Sequence, residues 1–383
     1  MKCSKVFYKD YRNIEDTEVT FSDGINVLWG NNAQGKSNIL EGIYLFARGK
    51  SFRGAKDREL IRFGADLARL TMLCTRDGAK HDTKIEVTIP QDGRKRITRG
   101  GARITPAEMI GSFRAVLFCP AHLTLVGGGP AERRAFLDVA ISQLSGEYIE
   151  LLTRYQRALT QRNALIKSAA DGAFVSNDQW SVYAEQLAAY GAGIASMRLS
   201  YIGQLSEKMK AYFYDMTDGR ETPTLSYVSH ALPEGEAKPD DVLSGFLEAN
   251  FTHAGRERMI RSLTDNIDRE IAAKTTLHGV HKDDIVLSLN GREARLYASQ
   301  GQQRSIALSM KLAEGEISRT ATGEYPVFLL DDVLSELDAE RRAFVLGALS
   351  DRQIIVTSCE PSLFNDSGSA ALFRIDGGTA TRL

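Results

Sequence analysis

GNNAQGKSN, residues Gly30 to Asn38, fits the pattern G-x-x-x-x-G-K-[ST] at every specified position. Chemistry explains the spacing. The run INVLWG ahead of it carries Ile25, Val27 and Leu28 and reads as a buried strand. A helix is expected to open at about Lys36, with Ile39, Leu40, Ile43 and Leu45 as its buried stripe. Gly30 and Gly35 let the backbone curl so that its N–H groups face a polyphosphate. The helix N-terminus adds partial positive charge at the same point. Gly30, Asn31, Asn32, Ala33, Gln34, Gly35, Lys36, Ser37 and Asn38 therefore form the candidate nucleotide loop. Lys36 would reach the β- and γ-phosphates, and the Ser37 hydroxyl would take a magnesium position. The competing reading is a chance Gly-rich turn. A strand before the pattern and a helix after it weigh against that reading.

A second segment, VFLLDDVLSELD (Val327 to Asp338), is apolar until Asp331 and Asp332 end the run. A buried strand that delivers a carboxylate at its C-terminal end is how folds of this class hold magnesium. Asp331 is the candidate metal carboxylate, and Asp332 the group that orients or deprotonates the attacking water. Lys36 and Asp332 are the candidate catalytic pair. The bland alternative is a strand ending in a solvated turn. Ser335, Leu337 and Asp338 resemble the short loop that meets the partner subunit in ATP-binding-cassette heads. A further strand, Ile354 to Val356, ends at Thr357 and Ser358, where transporter ATPases usually place a histidine.

The third segment is ASQGQQRS, Ala298 to Ser305. Ser299-Gln300-Gly301-Gln302 stands where a cassette ATPase has Ser-Gly-Gly-Gln. It opens a helix with an apolar stripe of Ile306, Leu308, Met310, Leu312 and Ala313, and with Lys311 and Glu314 expected outward. A hydroxyl at a helix N-terminus is an anion site. In such heads this site meets the nucleotide of a second copy, so Ser299, Gly301 and Gln302 point to a homodimer formed around ATP. An ordinary capped surface helix is the alternative.

Composition sets the frame. The chain has 383 residues, suited to two domains or to one domain with an insertion. Lys and Arg number 48 against 49 Asp and Glu, so any contact with nucleic acid needs a local basic patch. One candidate is GRKRITRGGAR, with Arg94, Lys95, Arg96, Arg99 and Arg103 around a Gly100-Gly101 hairpin turn. A solvated hairpin is an equal reading, and Arg256, Arg258 and Arg261 form a rival patch. Four cysteines without a C-x-x-C spacing argue against zinc and against a disulfide framework, and read as reduced packing residues. No apolar run reaches membrane length, so a cytoplasmic protein with no membrane partner is expected.

The motifs divide the chain. Residues 1–145 and 276–383 would form a split head of α/β class. Alternating stretches, Leu67 to Cys74 and Lys84 to Ile89, suggest an antiparallel β lobe beside its parallel core. Residues 146–275 would be an inserted helical domain. Trp180, Tyr183, Leu187, Tyr190, Ile194, Met197 and Tyr201 repeat in steps of three and four, and Tyr148, Leu151, Leu152, Tyr155, Leu159 and Ile166 mark a second amphipathic helix. Two antiparallel helices of ~40 residues would reach only ~60 Å. A compact bundle is therefore favoured over a long coiled-coil arm.

Taken together, the segments YRNIEDTEVTF, GNNAQGKSNILEGIY, SFRGAKDRELIRFG, ERRAFLD, TTLHGVHKDDI, ASQGQQRSIALSMKLAE and FLLDDVLSELD resemble the RecF family of bacterial replication and recombination-repair proteins, along essentially the whole chain. One departure is Val280, where the family usually has proline before His281, Lys282, Asp283 and Asp284. The resemblance implies a P-loop NTPase head of the ABC/SMC type that uses ATP and Mg2+. It further implies an ATP-dependent dimer, binding to gapped DNA or single-strand/duplex junctions, a weak DNA-stimulated ATPase, and cooperation with RecR and RecO. Carried onto this chain, it makes Gly30 to Ser37 the phosphate loop, Ser37 and Asp331 the magnesium ligands, Asp332 the catalytic carboxylate, and Ser299 with Gly301 the contact to the partner's γ-phosphate. By the same resemblance, Arg53 and Arg58 lie in a segment, SFRGAKDREL, that would reach the nucleotide base or DNA.

Other classes fit less well. A transporter motor would show Leu-Ser-Gly-Gly-Gln and a switch histidine, and a fused nuclease would need a further carboxylate-rich domain. A different SMC-like repair head, or a DNA-binding scaffold with negligible ATP turnover, remains the alternative. Intact Lys36, Asp331 and Asp332 weigh against the scaffold.

Overall fold

Alternation of apolar and polar residues builds the first sheet. Strands β1 (Lys2–Tyr11), β2 (Ile14–Thr20), β4 (Leu67–Thr75), β5 (Thr83–Pro90), β6 (Arg96–Arg99) and β7 (Ala102–Ile104) pair antiparallel in the order β2-β1-β4-β5-β6-β7. Leu70 and Met72 of β4 stand between Tyr8 and Val6 of β1 and Val87 and Ile85 of β5, all of them buried. Strand residues of one parity share a face, so these rows form one apolar layer. The Gly100–Gly101 pair joins β6 to β7 as a two-residue turn, with Arg99 opposite Ala102 and φ of 58° and 84°. Positive φ at both central residues is the hairpin geometry that glycine permits.

The computed structural model describes residues 1–229, 248–360, 364 and 370–383. The part of the expected helical insertion at 230–247 lies outside them. Two compact units divide the chain: residues 1–124 with 307–383, and residues 125–306. The motif-based limits at 145/146 and 275/276 fall inside the second unit.

Continuous apolar runs build the second sheet of the first unit. β3 (Ile25–Trp29), β8 (Ala115–Phe118), β12 (Val327–Asp331), β13 (Ile354–Ser358) and β14 (Ala371–Asp376) run parallel, and β15 (Thr379–Arg382) closes one edge antiparallel. The order is β15-β14-β3-β13-β12-β8. Every residue of β8, β12 and β13 is buried, as expected of parallel strands covered on both faces. Helix α1 (Lys36–Arg48) follows β3 and buries Ile39, Leu40, Ile43 and Leu45. The Tyr8 hydroxyl donates to the Ile39 carbonyl at 2.6 Å, tying α1 to the antiparallel sheet.

The helix Gln300–Thr322 corrects one expectation. Lys311 and Glu314, expected to face solvent, are buried and form an i,i+3 ion pair. The helix is buried all round from Ser305 to Gly315, so the apolar stripe underestimates its enclosure. Burial pushes the Glu314 carboxyl up, and Lys311 opposes that shift.

In the second unit the helices Gly146–Ala170, Asn177–Thr217 and Glu248–Asp265 accompany a small antiparallel sheet of β9 (Pro223–Val228), β10 (Asp284–Leu289) and β11 (Arg292–Glu293). Trp180, Leu187, Ile194 and Tyr201 are buried as the seven-residue spacing anticipates. Tyr183, Tyr190 and Met197 are only half-buried. Ala184, Ala188, Gly191, Ala195 and Arg198, each one residue beyond a member of that series, are also buried. Small residues there admit close neighbours: a Cβ on Gly191 would lie 2.8 Å from Met259. A pattern search keyed to large apolar side chains does not register such a seam.

Buried charges join distant parts of this unit. Arg133 grips Asp284 with two bonds of 2.7 Å. Arg198, 2% exposed, reaches Asp138 at 2.8 Å, the Val280 carbonyl at 2.8 Å and Asp283 at 3.5 Å. ERRAFLD and GVHKDD are thus two sides of one hydrogen-bonded network. Val280 opens the 3-10 turn Val280–Lys282, which closes through the Lys282 N–H to the Gly279 carbonyl at 2.8 Å. The first position of a helical turn is where proline is tolerated, because its N–H needs no partner inside the turn. Valine therefore substitutes there without loss of the closing bond.

The enclosed pair in the head makes a sharp prediction. Glu314→Leu removes the carboxylate that faces the buried Lys311 ammonium and should destabilise by ~3–5 kcal/mol, while Lys311→Met combined with Glu314→Leu should recover most of that loss. Urea unfolding of the single and double variants checks it; equal stability of the three proteins would contradict the buried pairing.

Candidate nucleotide site

The loop between β3 and α1 has a fixed shape. Gly35, with φ of 108°, caps α1, and its carbonyl accepts the Asn38 and Ile39 N–H groups at 3.0 Å. The Lys36 ammonium, largely buried, donates to the Gly30 carbonyl at 2.7 Å, the Asn31 carbonyl at 3.0 Å and Cys359 Sγ at 3.3 Å. Its positive charge is held in the throat of the loop by acceptors that a phosphate oxygen would outcompete. Gln34 is held from outside the loop. Its carbonyl accepts the Gly378 N–H at 2.8 Å, and its side-chain oxygen accepts the Gly377 N–H at 2.7 Å. Asn38 Nδ2 donates to Asn13 Oδ1 at 2.8 Å.

β12 delivers the carboxylates. Asp331 is buried and accepts from the Thr357 hydroxyl at 3.1 Å. The same hydroxyl oxygen accepts the Asp332 N–H at 2.8 Å. Thr357, at the end of β13, thus fixes both acidic residues. Asp332 has a φ of 52°, the left-handed region that non-glycine residues rarely occupy. That turn sends Asp332 to the surface while Asp331 stays inside. Partial burial pushes the Asp332 carboxyl up, Lys36 pulls it back, and Asp331 adds to the upward shift.

An open cavity of about 170 Å³ is lined by Asn32 to Asn38, Arg53 and Asp332. Phosphate loop and acidic strand, about three hundred residues apart in sequence, therefore face one space. Arg53 enters it from the loop after α1 and donates to Asn38 Oδ1 at 2.9 Å. A buried carboxylate organises that loop. Glu41 of α1 accepts from Arg12 at 2.8 and 2.9 Å and from the Ser51 hydroxyl at 2.6 Å. Ser51 Oγ in turn accepts the Arg53 N–H at 3.0 Å. Burial raises the Glu41 carboxyl, but the Arg12 and Ser51 bonds win and hold it low. Sequence reading singled out Arg53 but not Glu41, because a glutamate on an otherwise apolar helix face gives no local signal of its partners. Arg58 is exposed on the 3-10 turn Asp57–Leu60.

The cysteines divide. Cys3, Cys74 and Cys119 are buried. Cys359, expected as a packing residue, is exposed beside Lys36, and its thiol reaches Asn32 Oδ1 at 3.1 Å. The chain leaves the buried strand β13 just before it, so packing has ended there.

Ser299, Gly301 and Gln302 lie in the second unit, at the start of the helix Gln300–Thr322. Ser299 Oγ accepts the Gln302 N–H at 3.2 Å, and Gln302 Oε1 accepts the Ser299 N–H at 2.6 Å. This reciprocal capping satisfies two helix-end donors and leaves Ser299 exposed. In the basic hairpin, Arg94, Arg96 and Arg103 are exposed. Lys95 is turned inward, to the Gly49 carbonyl at 2.5 Å and Asp57 at 3.1 Å, and Arg99 donates to Ser112 Oγ at 2.8 Å. Arg256 and Arg261 are exposed and Arg258 half-buried on the helix Glu248–Asp265.

Fold and loop define a P-loop head of the ABC/SMC class. A family model described as RecF/RecN/SMC N terminal domain matches residues 2–379. The chain is 35% identical over 388 residues to the DNA replication and repair protein RecF of Clostridium acetobutylicum, covering 99% of both chains. It is 36% identical to the RecF of Lacticaseibacillus casei over the full length of both. A solved structure of the recombination mediator protein RecF-ATPrS in the RecFOR pathway superposes with a TM-score of 0.88 at 32% identity, over 100% of this chain and 98% of that one. An SMC head bound to the C-winged helix domain of ScpA shares the fold at a TM-score of 0.56 and 14% identity. The chain belongs to the RecF family of DNA replication and repair proteins.

Ser51→Ala removes the acceptor of the Arg53 N–H and should cost ~1–2 kcal/mol. Amide exchange at Arg53 should accelerate while exchange at Leu40, within α1, stays slow. Unchanged exchange at Arg53 would show that another contact holds this loop.

Proposed function

We propose that this protein is an ATP-dependent DNA-binding protein of recombinational repair and replication restart. The observation that carries the reading is the single cavity shared by the phosphate loop, Arg53 and Asp332. Gly30 to Asn38 would bind the triphosphate, with Lys36 on its outer phosphates and helix α1 contributing its N-terminal N–H groups. Among the described residues no group of three or more His, Cys, Asp or Glu side chains could hold a metal by itself. That fits magnesium of the P-loop kind, which takes few protein ligands beside phosphate and water. Ser37 and Asp331 would hold it, and it would supply neutralisation of charge on the phosphates. Asp332 orients the attacking water and accepts its proton, and its raised carboxyl affinity for protons favours that task.

Ser299 and Gly301 contact the γ-phosphate bound by a second copy, so ATP closes a homodimer on DNA at gaps or single-strand/duplex junctions. Hydrolysis, weak and stimulated by DNA, releases it, and RecR- and RecO-type mediators use the closed state to load recombinase. The membership in the RecF family and the RecFOR description of its structural neighbour support this cycle. No helix among the described residues is long and apolar enough to cross a membrane.

Lys36→Ala should weaken ATP binding at least ~10-fold, the size of a lost hydrogen bond to a charged group. Asp332→Asn should bind ATP normally and turn over ~100-fold more slowly. Calorimetric titration and phosphate release measure the two effects, and wild-type turnover in Asp332→Asn would place the water-orienting role elsewhere.

For DNA, the exposed arginines of the hairpin are the first choice. Each lost phosphate contact flattens the slope of log affinity on log salt by ~0.9 for duplex DNA. Replacing Arg94, Arg96 and Arg103 with Ala should therefore reduce the slope by roughly two to three, with ATP binding unchanged. An unaltered slope would move the contact to Arg256, Arg258 and Arg261.

A further inference from the structure

Gln302 reaches beyond its own helix. While its Oε1 accepts the Ser299 N–H at 2.6 Å, its Nε2 donates to the carboxylate of Glu221. Glu221 lies between the helix Asn177–Thr217 and β9, 81 positions away in sequence. Both residues are half-buried and line an open cavity of about 310 Å³ together with Asn290, Arg292 and Tyr297.

We propose that Glu221 is a positioning residue for the Ser299 contact, acting by fixing the amide of Gln302. An amide side chain has one donor end and one acceptor end. A carboxylate accepts only, so it must face the NH2 group, and the oxygen must then face Ser299. That choice fixes the Ser299 backbone. The Gln302 backbone N–H in turn occupies a lone pair of the Ser299 hydroxyl at 3.2 Å and leaves its proton to be donated outward. An outward O–H beside a helix N-terminus is the arrangement that receives a phosphate oxygen. Without Glu221 the amide can turn over, its NH2 meets the Ser299 N–H, and the cap opens. Gln302 then serves the nucleotide through Ser299, and not by a contact of its own.

The inference rests on the proposed role of Ser299 at a second copy's nucleotide, and the test separates the two. ATP-dependent association of the full chain, with ATP and Mg2+, is measured by sedimentation for wild type, Glu221→Ala, Glu221→Gln, Gln302→Ala and Ser299→Arg. Glu221→Ala should associate at least ~10-fold more weakly, the size of one hydrogen bond to a charged group. ATP affinity of the monomer and the melting temperature should stay near wild type. Glu221→Gln, which offers a carbonyl oxygen to the same NH2, should restore most of the association. The Glu221→Ala/Gln302→Ala double variant should be no weaker than the weaker single variant, because one interaction is lost in each case. Wild-type association of Glu221→Ala beside a dissociated Ser299→Arg would overturn the inference alone, as would failure of Glu221→Gln to restore association. Wild-type association of Ser299→Arg would overturn the underlying role of Ser299.

Discussion

Parallel pairing of β3, β13 and β12 is the constraint on which the site depends. Leu28 pairs with Thr357 and Asp331 with Thr357, so the phosphate loop and both carboxylates emerge at the same end of three adjacent strands. The crevice beyond the carboxyl ends of such strands is where open α/β sheets bind ligands. Thr357 sits at the centre of this arrangement. Its hydroxyl gives its proton to Asp331 and receives the N–H of Asp332, so a slip of one strand would separate the acid pair from Lys36.

Buried charge performs a second service. Glu41 with Arg12 and Ser51, Arg133 with Asp284, and Arg198 with Asp138 and Asp283 each join segments far apart in sequence. Such pairs contribute little net stability, since desolvation offsets most of the attraction. Their geometry is specific, however, and misplacing one partner leaves a buried charge unpaired. In the head, this specificity aims the loop carrying Arg53 at the cavity it shares with Asn32 to Asn38 and Asp332. In the second unit it holds the 3-10 turn at Val280 against the helix Asn177–Thr217 through Arg198.

Much of this was legible in the sequence where a local signal exists. The phosphate loop announces itself because its glycines, lysine and helix start must be contiguous. Strands β4 and β5 show as alternation and β12 as an apolar run ended by acid. The Gly100–Gly101 turn shows because two adjacent positive-φ residues favour glycine. What could not be read was the partner of each long polar side chain. Lys311 and Glu314 look like a solvent-facing pair on a helix wheel, yet both are buried. Lys95 looks like one more hairpin cation, yet Asp57 claims it. Glu221 lies in no motif at all. The seam of the helix Asn177–Thr217 was blurred for a different reason, since alanine and glycine mark close approach without adding apolar bulk.

The claim that the cavity is a magnesium-nucleotide site is tested most directly by ATP affinity with and without Mg2+ in wild type and in Asp331→Asn. Mg2+ should tighten ATP binding to wild type by about tenfold or more and leave Asp331→Asn nearly unchanged, because the carboxylate proposed to hold the ion is gone. Equal dependence on Mg2+ in the two proteins, or none in wild type, would contradict it.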